Sequence, residues 1–313
     1  MHRSGPPFDN YTYTESILHF NRQVKHLPPE ALWRAASEAV IEEIVTAPKP
    51  GLVDPLGPGC HTDMDWHTFI RSAQAIAPFW EYQAMTGLSG IGPSDALKHL
   101  RYIGVEMERK MFAATSGINT HKGLIFLLSL LLYGAGYSIY SKTELTPENI
   151  AANASAPVKG LVSKELGQLA EKKPSDRLTN CERLFLMHGI TGARGEAERG
   201  FPSVIECGLP ELKRLYAAGA SANSAHVGAL LYIMARNEDS NVIHRGGYDF
   251  WQNEYKEMVN ETIEKFDPLS EDFRPIEELE KKFIKKKISP GGAADLLSCS
   301  IFLHTITKPA CQQ

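Results

Sequence analysis

A chain of 313 residues, 43% hydrophobic and 22% charged, is long enough to fold around its own core without disulfides or structural metal. Its formal net charge of −4 argues against a general affinity for nucleic acid or membranes, so a polyanionic ligand requires a local basic cluster. The five cysteines are widely spaced without a C-x-x-C pair, which excludes a recognisable disulfide framework or zinc motif and favours a reducing, cytoplasmic compartment.

The residue pattern divides the chain into three parts. Residues 1–28 are predicted to form an N-terminal extension, because prolines bracket a segment of weak periodicity without the apolar core of a signal peptide. Residues 29–308 are predicted to form one large domain, and residues 309–313 a short tail. We therefore expect the fold and the function to reside in residues 29–308.

Helical periodicity dominates from residue 29 onward. Leu32, Ala35, Ala36, Ala39 and Val40 recur at the spacing of one helix face. The longest apolar run, residues 123–136, is shorter than the ~20 residues needed to cross a bilayer and is predicted to be a buried helix. Because strand-like alternation is scarce, we predict an all-α fold, a single large multi-helix domain of about a dozen helices with residues 124–133 at its centre.

Capping residues indicate three helix starts. Thr62 and Asp65 have the spacing of a capping box, while Thr146 and Ser289 each place a hydroxyl before a proline suited to a first helical turn. We expect helices to begin at these three points.

Six connecting segments combine glycine with basic, acidic or hydroxyl side chains, and each leads into or out of a predicted helix. Loops of this kind commonly carry catalytic and binding groups. The segments are residues 48–54 (PKPGLVD), 59–65 (GCHTDMD), 117–123 (GINTHKG), 192–196 (GARGE), 239–247 (DSNVIHRGG) and 289–295 (SPGGAAD).

The segment at residues 117–123 opens the long apolar helix. The N–H groups at a helix start favour phosphate, Lys122 adds a full positive charge, His121 adds a donor, and Gly123 lets a ligand approach the backbone. The alternative is an ordinary helix start capped by Thr120, with His121 simply exposed. The residues alone leave both interpretations open.

Two arginines suit phosphate oxygens, because the guanidinium donates in a two-point geometry. They are Arg194 and Arg245, each flanked by glycine. The alternative for Arg194 is a surface network with Glu196 or Arg199. Both possibilities stay open from sequence.

The acidic candidates for a base or a metal ligand are Asp54, Asp63, Asp65, Glu106, Glu196 and Asp239. A triphosphate normally arrives with Mg²⁺, which one or two carboxylates hold together with phosphate oxygens and water. Structural alternatives exist, since Asp65 completes a capping box with Thr62 and Glu106 has the helical spacing to pair with Lys110. No Walker motif, dinucleotide fingerprint or nucleophile elbow is present, so the residues alone predict a helical protein whose loops suit a polyanion.

The six segments, in this order, resemble the triphosphoribosyl-dephospho-CoA synthase family, and the resemblance runs from about residue 32 to residue 306. Pro58 and Cys60 depart from it, in a loop where asparagine and alanine are expected. The resemblance implies a transferase that moves the triphosphoribosyl group of ATP to the 2′-hydroxyl of 3′-dephospho-CoA and releases adenine. The product is the prosthetic-group precursor for the acyl carrier protein of citrate lyase or malonate decarboxylase.

The resemblance also implies roles for the candidate residues. Substrate binding is expected for Lys49, His61, Asn119, His121, Lys122, Arg194 and Arg245, catalysis for Asp63, Asp65, Glu106 and Glu196, and Mg²⁺ binding for Asp54 and Asp239. Because one triphosphate needs several donors at once, we expect Lys49, His121, Lys122, Arg194 and Arg245 to border one cleft.

Other functions remain open at this point. They are a metal-dependent phosphohydrolase, a phosphoribosyl transferase with another acceptor, and a non-catalytic regulator that binds a nucleotide or CoA. The expected partners are ATP, 3′-dephospho-CoA and, indirectly, the acyl carrier protein, while a homo-oligomer is compatible with the sequence.

Overall fold

The computed structural model describes residues 28–171, 178–270 and 272–308. The predicted tail and the predicted extension, apart from residue 28, lie outside these residues. The described chain is helical without a β-strand, so the all-α prediction is confirmed. The one pairing of extended residues in this part is an isolated bridge between Asp54 and Gly57.

The helices follow one another along the chain, with the longest described connection, residues 46–65, between α1 and α2. They are α1 (Glu30–Val45), α2 (Trp66–Ile76), α3 (Trp80–Leu88), α4 (Pro93–Ala114), α5 (Lys122–Tyr140), α6 (Pro147–Ser155), α7 (Leu161–Glu165), α8 (Asn180–His188), α9 (Gly192–Glu198), α10 (Leu209–Ala217), α11 (Ala222–Arg236), α12 (Ser240–Gly246), α13 (Tyr248–Phe250), α14 (Lys256–Lys265), α15 (Arg274–Lys286) and α16 (Gly291–Ile306). Turns of 3₁₀-helix lie at Ala77–Phe79, Ala156–Val158 and Gly167–Glu171, and π-helical turns at Ser203–Gly208 and Trp251–Tyr255.

Helix α5 forms the centre of the core, as predicted. Every residue from 124 to 133 except Phe126 is buried. The helix packs against α3, α6 and α16, and glycines bring the backbones together. A Cβ on Gly136 would lie 2.5 Å from the Ala84 carbonyl oxygen of α3, and one on Gly134 would lie 2.4 Å from the Ile150 carbonyl oxygen of α6. Only glycine therefore allows these two close approaches.

By length and composition α5 is also able to cross a membrane, and it is the one such helix in the described residues. However, 78% of its most apolar window is buried inside the protein. The apolarity of α5 therefore serves the core of this fold.

The predicted helix starts are confirmed in one case and corrected in two. The Thr146 hydroxyl accepts from the backbone N–H of Asn149 and caps α6. Asp65 does not complete a box with Thr62 but is itself the N-cap of α2, where its carboxylate accepts from the Thr68 N–H. Helix α16 begins after Pro290 without a cap from Ser289, because the Ser289 hydroxyl bonds to His61 instead.

Candidate active site

A cleft of about 880 Å³ lies where several helices begin. The first residues of α5, α9, α12 and α16, which are Lys122, Gly192, Ser240 and Gly291, all line it. Side chains of α4 and α5 form an opposing, more apolar wall. Because the N-terminal ends of long helices such as α5 and α16 present N–H groups and partial positive charge, this arrangement favours an anionic ligand.

Three of the predicted phosphate-binding cations meet in this cleft. Lys122, Arg194 and Arg245 all line it, although they lie up to 123 positions apart in the sequence. The Lys122 ammonium lies 2.9 Å from Oε2 of Glu108, while the Arg245 guanidinium contacts the Cys60 sulfur at 3.5 Å and the Lys287 carbonyl oxygen at 3.3 Å. The prediction of a shared cleft is thus met for these three residues.

Arg194 shares its acidic partner with a second arginine. The Glu165 carboxylate accepts from Nε of Arg194 at 2.8 Å and from Nη2 of Arg101 at 2.5 Å. Partial burial acts to raise the pKa of Glu165, but the bonds from the two guanidinium groups outweigh it and lower the pKa. One carboxylate serves two arginines that line the cleft, so this side of it carries an excess of positive charge. Arg101 was missed from sequence because it resembles any exposed residue of a long helix.

His61 and Asn119 also line the cleft, as expected for substrate-binding residues. The Nε2 atom of His61 lies 2.9 Å from the Ser289 hydroxyl, and burial, followed by the charge of Arg245, lowers the pKa of His61. Asn119 Oδ1 accepts from the Lys122 backbone N–H at 3.2 Å, so Asn119 supports the start of α5. His61 therefore connects two of the cleft loops, whereas Asn119 supports its own.

Asp239 lies in the cleft wall as a cap for two helices. Its Oδ1 accepts from the backbone N–H groups of Asn241 and Val242 at the start of α12, and its Oδ2 accepts from the N–H of Ala293 at the start of α16. Burial raises the pKa of Asp239 even though these N–H groups oppose the shift. Asp239 therefore ties two of the cleft-lining helices together.

Asp295 lines the same part of the cleft and was not among the predicted site residues. Its carboxyl bonds to the Leu124 backbone N–H at the start of α5, and a Cβ on Gly123 would lie 2.2 Å from its Oδ2. Gly123 is thus needed to admit the Asp295 carboxyl. Segments 117–123 and 289–295 were both predicted to belong to the site, but the sequence alone does not show that Asp295 of one contacts the backbone of the other.

Glu196 is the one predicted catalytic acid that lines the cleft. Its Oε1 accepts from the Ser203 backbone N–H at 2.8 Å and its Oε2 from the Ser203 hydroxyl at 3.0 Å. Burial raises the pKa of Glu196, which the Ser203 bonds oppose. The carboxyl is thereby held in one orientation with a raised proton affinity.

Lys49 and His121 lie behind the cleft wall, which corrects their expected place in it. The Lys49 ammonium is 1% exposed and donates to Oε1 and the carbonyl oxygen of Glu43 at 2.5 and 2.6 Å. His121 Nδ1 lies 2.7 Å from the Ser72 hydroxyl, which also accepts from the cleft-lining Thr120. Burial and the charge of Lys49 lower the pKa of His121 to about 3. These residues support the cleft without facing it.

Three of the remaining predicted acids belong to local structure outside the cleft lining. Asp65 caps α2, and the bonds from Thr68 lower its pKa. Glu106 is bonded by Arg109 at 2.8 and 2.5 Å and not, as proposed, by Lys110. Asp63 is largely exposed and contacts Nδ1 of His61 at 3.8 Å. They do not face a ligand held in the cleft.

The two predicted Mg²⁺ ligands do not fit a metal site. In Asp54, Oδ2 accepts from the backbone N–H of Lys49 and Oδ1 from that of Leu56, which fixes the buried loop after α1. Asp239 engages both oxygens in the same way, and a cation would compete with those donors. In residues 28–171, 178–270 and 272–308, no group of three or more His, Cys, Asp or Glu side chains is arranged to hold a metal ion.

Comparisons with known proteins agree on one family. A family model described as ATP:dephospho-CoA triphosphoribosyl transferase matches residues 29–313. A relative from Vibrio cholerae serotype O1 (strain M66-2) is 35% identical over 90% of this chain and 89% of its own length, and one from Streptococcus equi subsp. zooepidemicus (strain H70) is 37% identical over 86% and 94%. Both carry the name "Probable 2-(5''-triphosphoribosyl)-3'-dephosphocoenzyme-A synthase".

A solved structure from Archaeoglobus fulgidus, described as a candidate triphosphoribosyl-dephospho-CoA synthase, aligns with a TM-score of 0.48. The alignment has 19% sequence identity and covers 75% of this chain and 97% of that chain.

Proposed function

This chain belongs to the ATP:dephospho-CoA triphosphoribosyl transferase family, and from that premise we propose that it transfers the 5-triphosphoribosyl group of ATP to the 2′-hydroxyl of 3′-dephospho-CoA with release of adenine. All three phosphates stay on the transferred group. The product is the prosthetic-group precursor for the acyl carrier protein of citrate lyase or malonate decarboxylase.

The observation that carries this proposal is the presence of both cations and carboxyl groups in one cleft. Lys122, Arg194 and Arg245 line the cleft together with the carboxyl groups of Glu196, Asp239 and Asp295. A triphosphate requires the cations, and glycosyl transfer requires carboxyl groups that move protons and stabilise positive charge on the sugar. A volume of about 880 Å³ is within the range of small-molecule sites.

The triphosphate binds at the cationic side. There the Glu108 and Glu165 carboxylates hold Lys122 and Arg194 in place before ATP enters, and phosphate oxygens then share or replace these acidic partners. The polyanion is thereby oriented with its neutral base away from the arginines.

The attacking hydroxyl loses its proton to Glu196. This carboxyl lines the cleft, Ser203 fixes its orientation, and its raised pKa brings its proton affinity towards that of a base that works near neutral pH. The hydroxyl oxygen then bonds to the anomeric carbon of the ATP ribose as the bond to adenine breaks. Positive charge that develops on the sugar is stabilised by the nearby carboxyl groups.

Mg²⁺ is part of the proposal as an ion that enters with ATP. Because Asp54 and Asp239 engage both carboxylate oxygens with backbone N–H groups, triphosphate oxygens and water supply its ligands. The reaction takes place in the cytoplasm, where ATP is present and thiols stay reduced. A homo-oligomer is compatible with this function.

The test is chromatography of ATP and 3′-dephospho-CoA after incubation with the protein. We expect free adenine in amounts equal to the dephospho-CoA consumed, and no adenine when dephospho-CoA is omitted. Release of phosphate or pyrophosphate in place of adenine would favour a phosphohydrolase or another phosphoribosyl transferase. Binding of ATP without turnover would favour a non-catalytic regulator.

A further inference from the structure

Two polar side chains in the cleft, Asn237 and Asp295, have no individual role in the reaction as proposed above. Asp295 lines the cleft and bonds to the Leu124 N–H. Asn237 is 5% exposed, also lines the cleft, and donates its amide to Asp239, which leaves its Oδ1 without a hydrogen-bond partner among the described residues. A buried acceptor without a partner is costly, so its presence in a cleft indicates a donor on the ligand.

Asp239 and Asp295 are neighbours that hold very different numbers of hydrogen bonds. Asp239 accepts from three backbone N–H groups and from the Asn237 amide, and such donors stabilise a negative charge. Asp295 accepts from one backbone N–H. When two close carboxyl groups share a site, the one with fewer donors retains the proton. The donor count therefore places the proton on Asp295.

The charges around Asp295 act in the same direction. Glu43 of α1, which pairs with Lys49, and Asp239 at the start of α12 both face it, and Lys122 begins the helix to which it bonds. Burial, followed by the charges of Glu43 and Asp239, raises the pKa of Asp295 well above its ordinary range. This direction favours the protonated carboxyl, which is the form that can donate.

We propose, on the basis of the function proposed above, that Asp295 is the acid that protonates the departing adenine at N7 while Asn237 Oδ1 accepts from its exocyclic amine. The edge of adenine that carries N7 also carries the amine, and presents one acceptor beside one donor. A protonated carboxyl and an unpartnered amide oxygen offer the complementary pair. With the base held by this pair, the triphosphate is left to Lys122, Arg194 and Arg245, which line the same cleft.

The proton balance of this step is complete. As the bond between N9 and the anomeric carbon breaks, its electron pair goes to the base, and the Asp295 proton adds to N7. Adenine leaves as a neutral tautomer, Asp295 becomes a carboxylate, and the new bond forms from the acceptor oxygen, whose proton goes to Glu196. After product release both carboxyl groups exchange protons with water and the starting state returns.

The test compares ATP with 7-deaza-ATP, in which a carbon replaces N7. With dephospho-CoA present, we expect the parent protein to release the base from 7-deaza-ATP at least about 100-fold more slowly than from ATP, because a general acid contributes about 10²–10⁴ in rate. In Asp295→Asn we expect ATP turnover to fall at least about 100-fold and 7-deaza-ATP turnover to stay within about threefold of its parent rate, because the analogue has no N7 for the acid to protonate. The matched control is Asp267→Asn, an exposed loop residue, which should keep the parent ratio.

Three results would overturn the proposal. They are equal use of both nucleotides by the parent, an unchanged ATP rate in a folded Asp295→Asn protein, and a parent-like ratio in that variant. If Asp295→Asn does not fold, Asp295→Ser takes its place in the same comparison. If the parent releases no adenine, the proposed function fails. Calorimetry then tests the contact between Asp295 and the adenine N7 separately. Weaker binding of 7-deaza-ATP than of ATP by the parent supports this contact, and equal binding contradicts it.

Discussion

The Lys49–Glu43 ion pair has a structural role at the scale of single residues. Both side chains are almost completely buried, so removal of one partner would leave the other charge without compensation. In sequence, Lys49 lies in a short proline- and glycine-containing segment that is typical of an exposed binding loop. Periodicity does not reveal that a loop packs into the core. For that reason Lys49 in this loop, and His121 in residues 117–123, were predicted to face the cleft although both are buried behind it.

His121 should make the protein sensitive to acid. Its folded-state pKa of about 3 is below the ordinary 6.5, so the unfolded chain binds a proton that the folded state refuses. Stability from this group is present above pH 6.5 and is lost as the pH falls towards 3, with a slope of up to about 1.4 kcal/mol per pH unit. We expect His121→Asn to reduce that slope in denaturant unfolding measured between pH 6.5 and 4.5. The exposed His67→Asn variant is the control, and equal slopes for His121→Asn and the parent would refute the assignment.

Lys122 should serve ATP use more than folding. A positive charge in the first turn of a helix is opposed by the helix dipole, and its ion pair with Glu108 is mostly solvent-exposed. We expect Lys122→Ala to change the free energy of unfolding by no more than about 1 kcal/mol and to raise the KM for ATP about 10-fold or more, because a charge-assisted bond is lost.

Two variants accompany that measurement of adenine release and thermal melting. Lys122→Arg keeps the charge and should recover part of the activity, while Lys110→Ala, an exposed lysine of α4, should behave as the parent. An unchanged KM in Lys122→Ala would remove Lys122 from the site, and a large fall in its melting temperature would make its role structural.

At the scale of elements, the cleft results from helix starts that hold one another. Asp239 caps α12 and α16, and Asp295 of α16 bonds to the start of α5. The sequence indicated these starts through their glycines and acids, and five of the six predicted segments reach the cleft, the exception being residues 48–54. It did not show that an acid of one segment caps the helix of another, because such partners are distant in sequence.

Asp239 should stabilise the fold and not a metal. Asp239→Ala removes the acceptor of three backbone N–H groups, of which that of Ala293 keeps the Pro290 carbonyl oxygen as a partner, and we expect a loss of about 2–4 kcal/mol in the free energy of unfolding. Asp65→Ala removes a single cap from an exposed helix start and should destabilise the protein less. The parent should melt at the same temperature with EDTA as with Mg²⁺, whereas a clear fall in EDTA would restore Asp239 as a metal ligand.

At the scale of the whole molecule, the fold was more predictable than the site. Helical periodicity and an apolar segment as long as α5 determine an all-helical domain, because burying such a helix requires others around it. The side of each loop that faces the cleft depends on packing between distant helices. That is why Lys122, Arg194 and Arg245 were found from sequence, while Arg101 and Asp295 were not.

The central claim is that the triphosphoribosyl group moves intact from ATP to 3′-dephospho-CoA. The most direct measurement follows ATP that carries one isotopic label in the γ-phosphate and another in the adenine ring. We predict that the γ-phosphate label appears in the dephospho-CoA product while the ring label appears as free adenine, in equal amounts. Recovery of the γ-phosphate label as inorganic phosphate or pyrophosphate, or of both labels in a single product, would contradict the account.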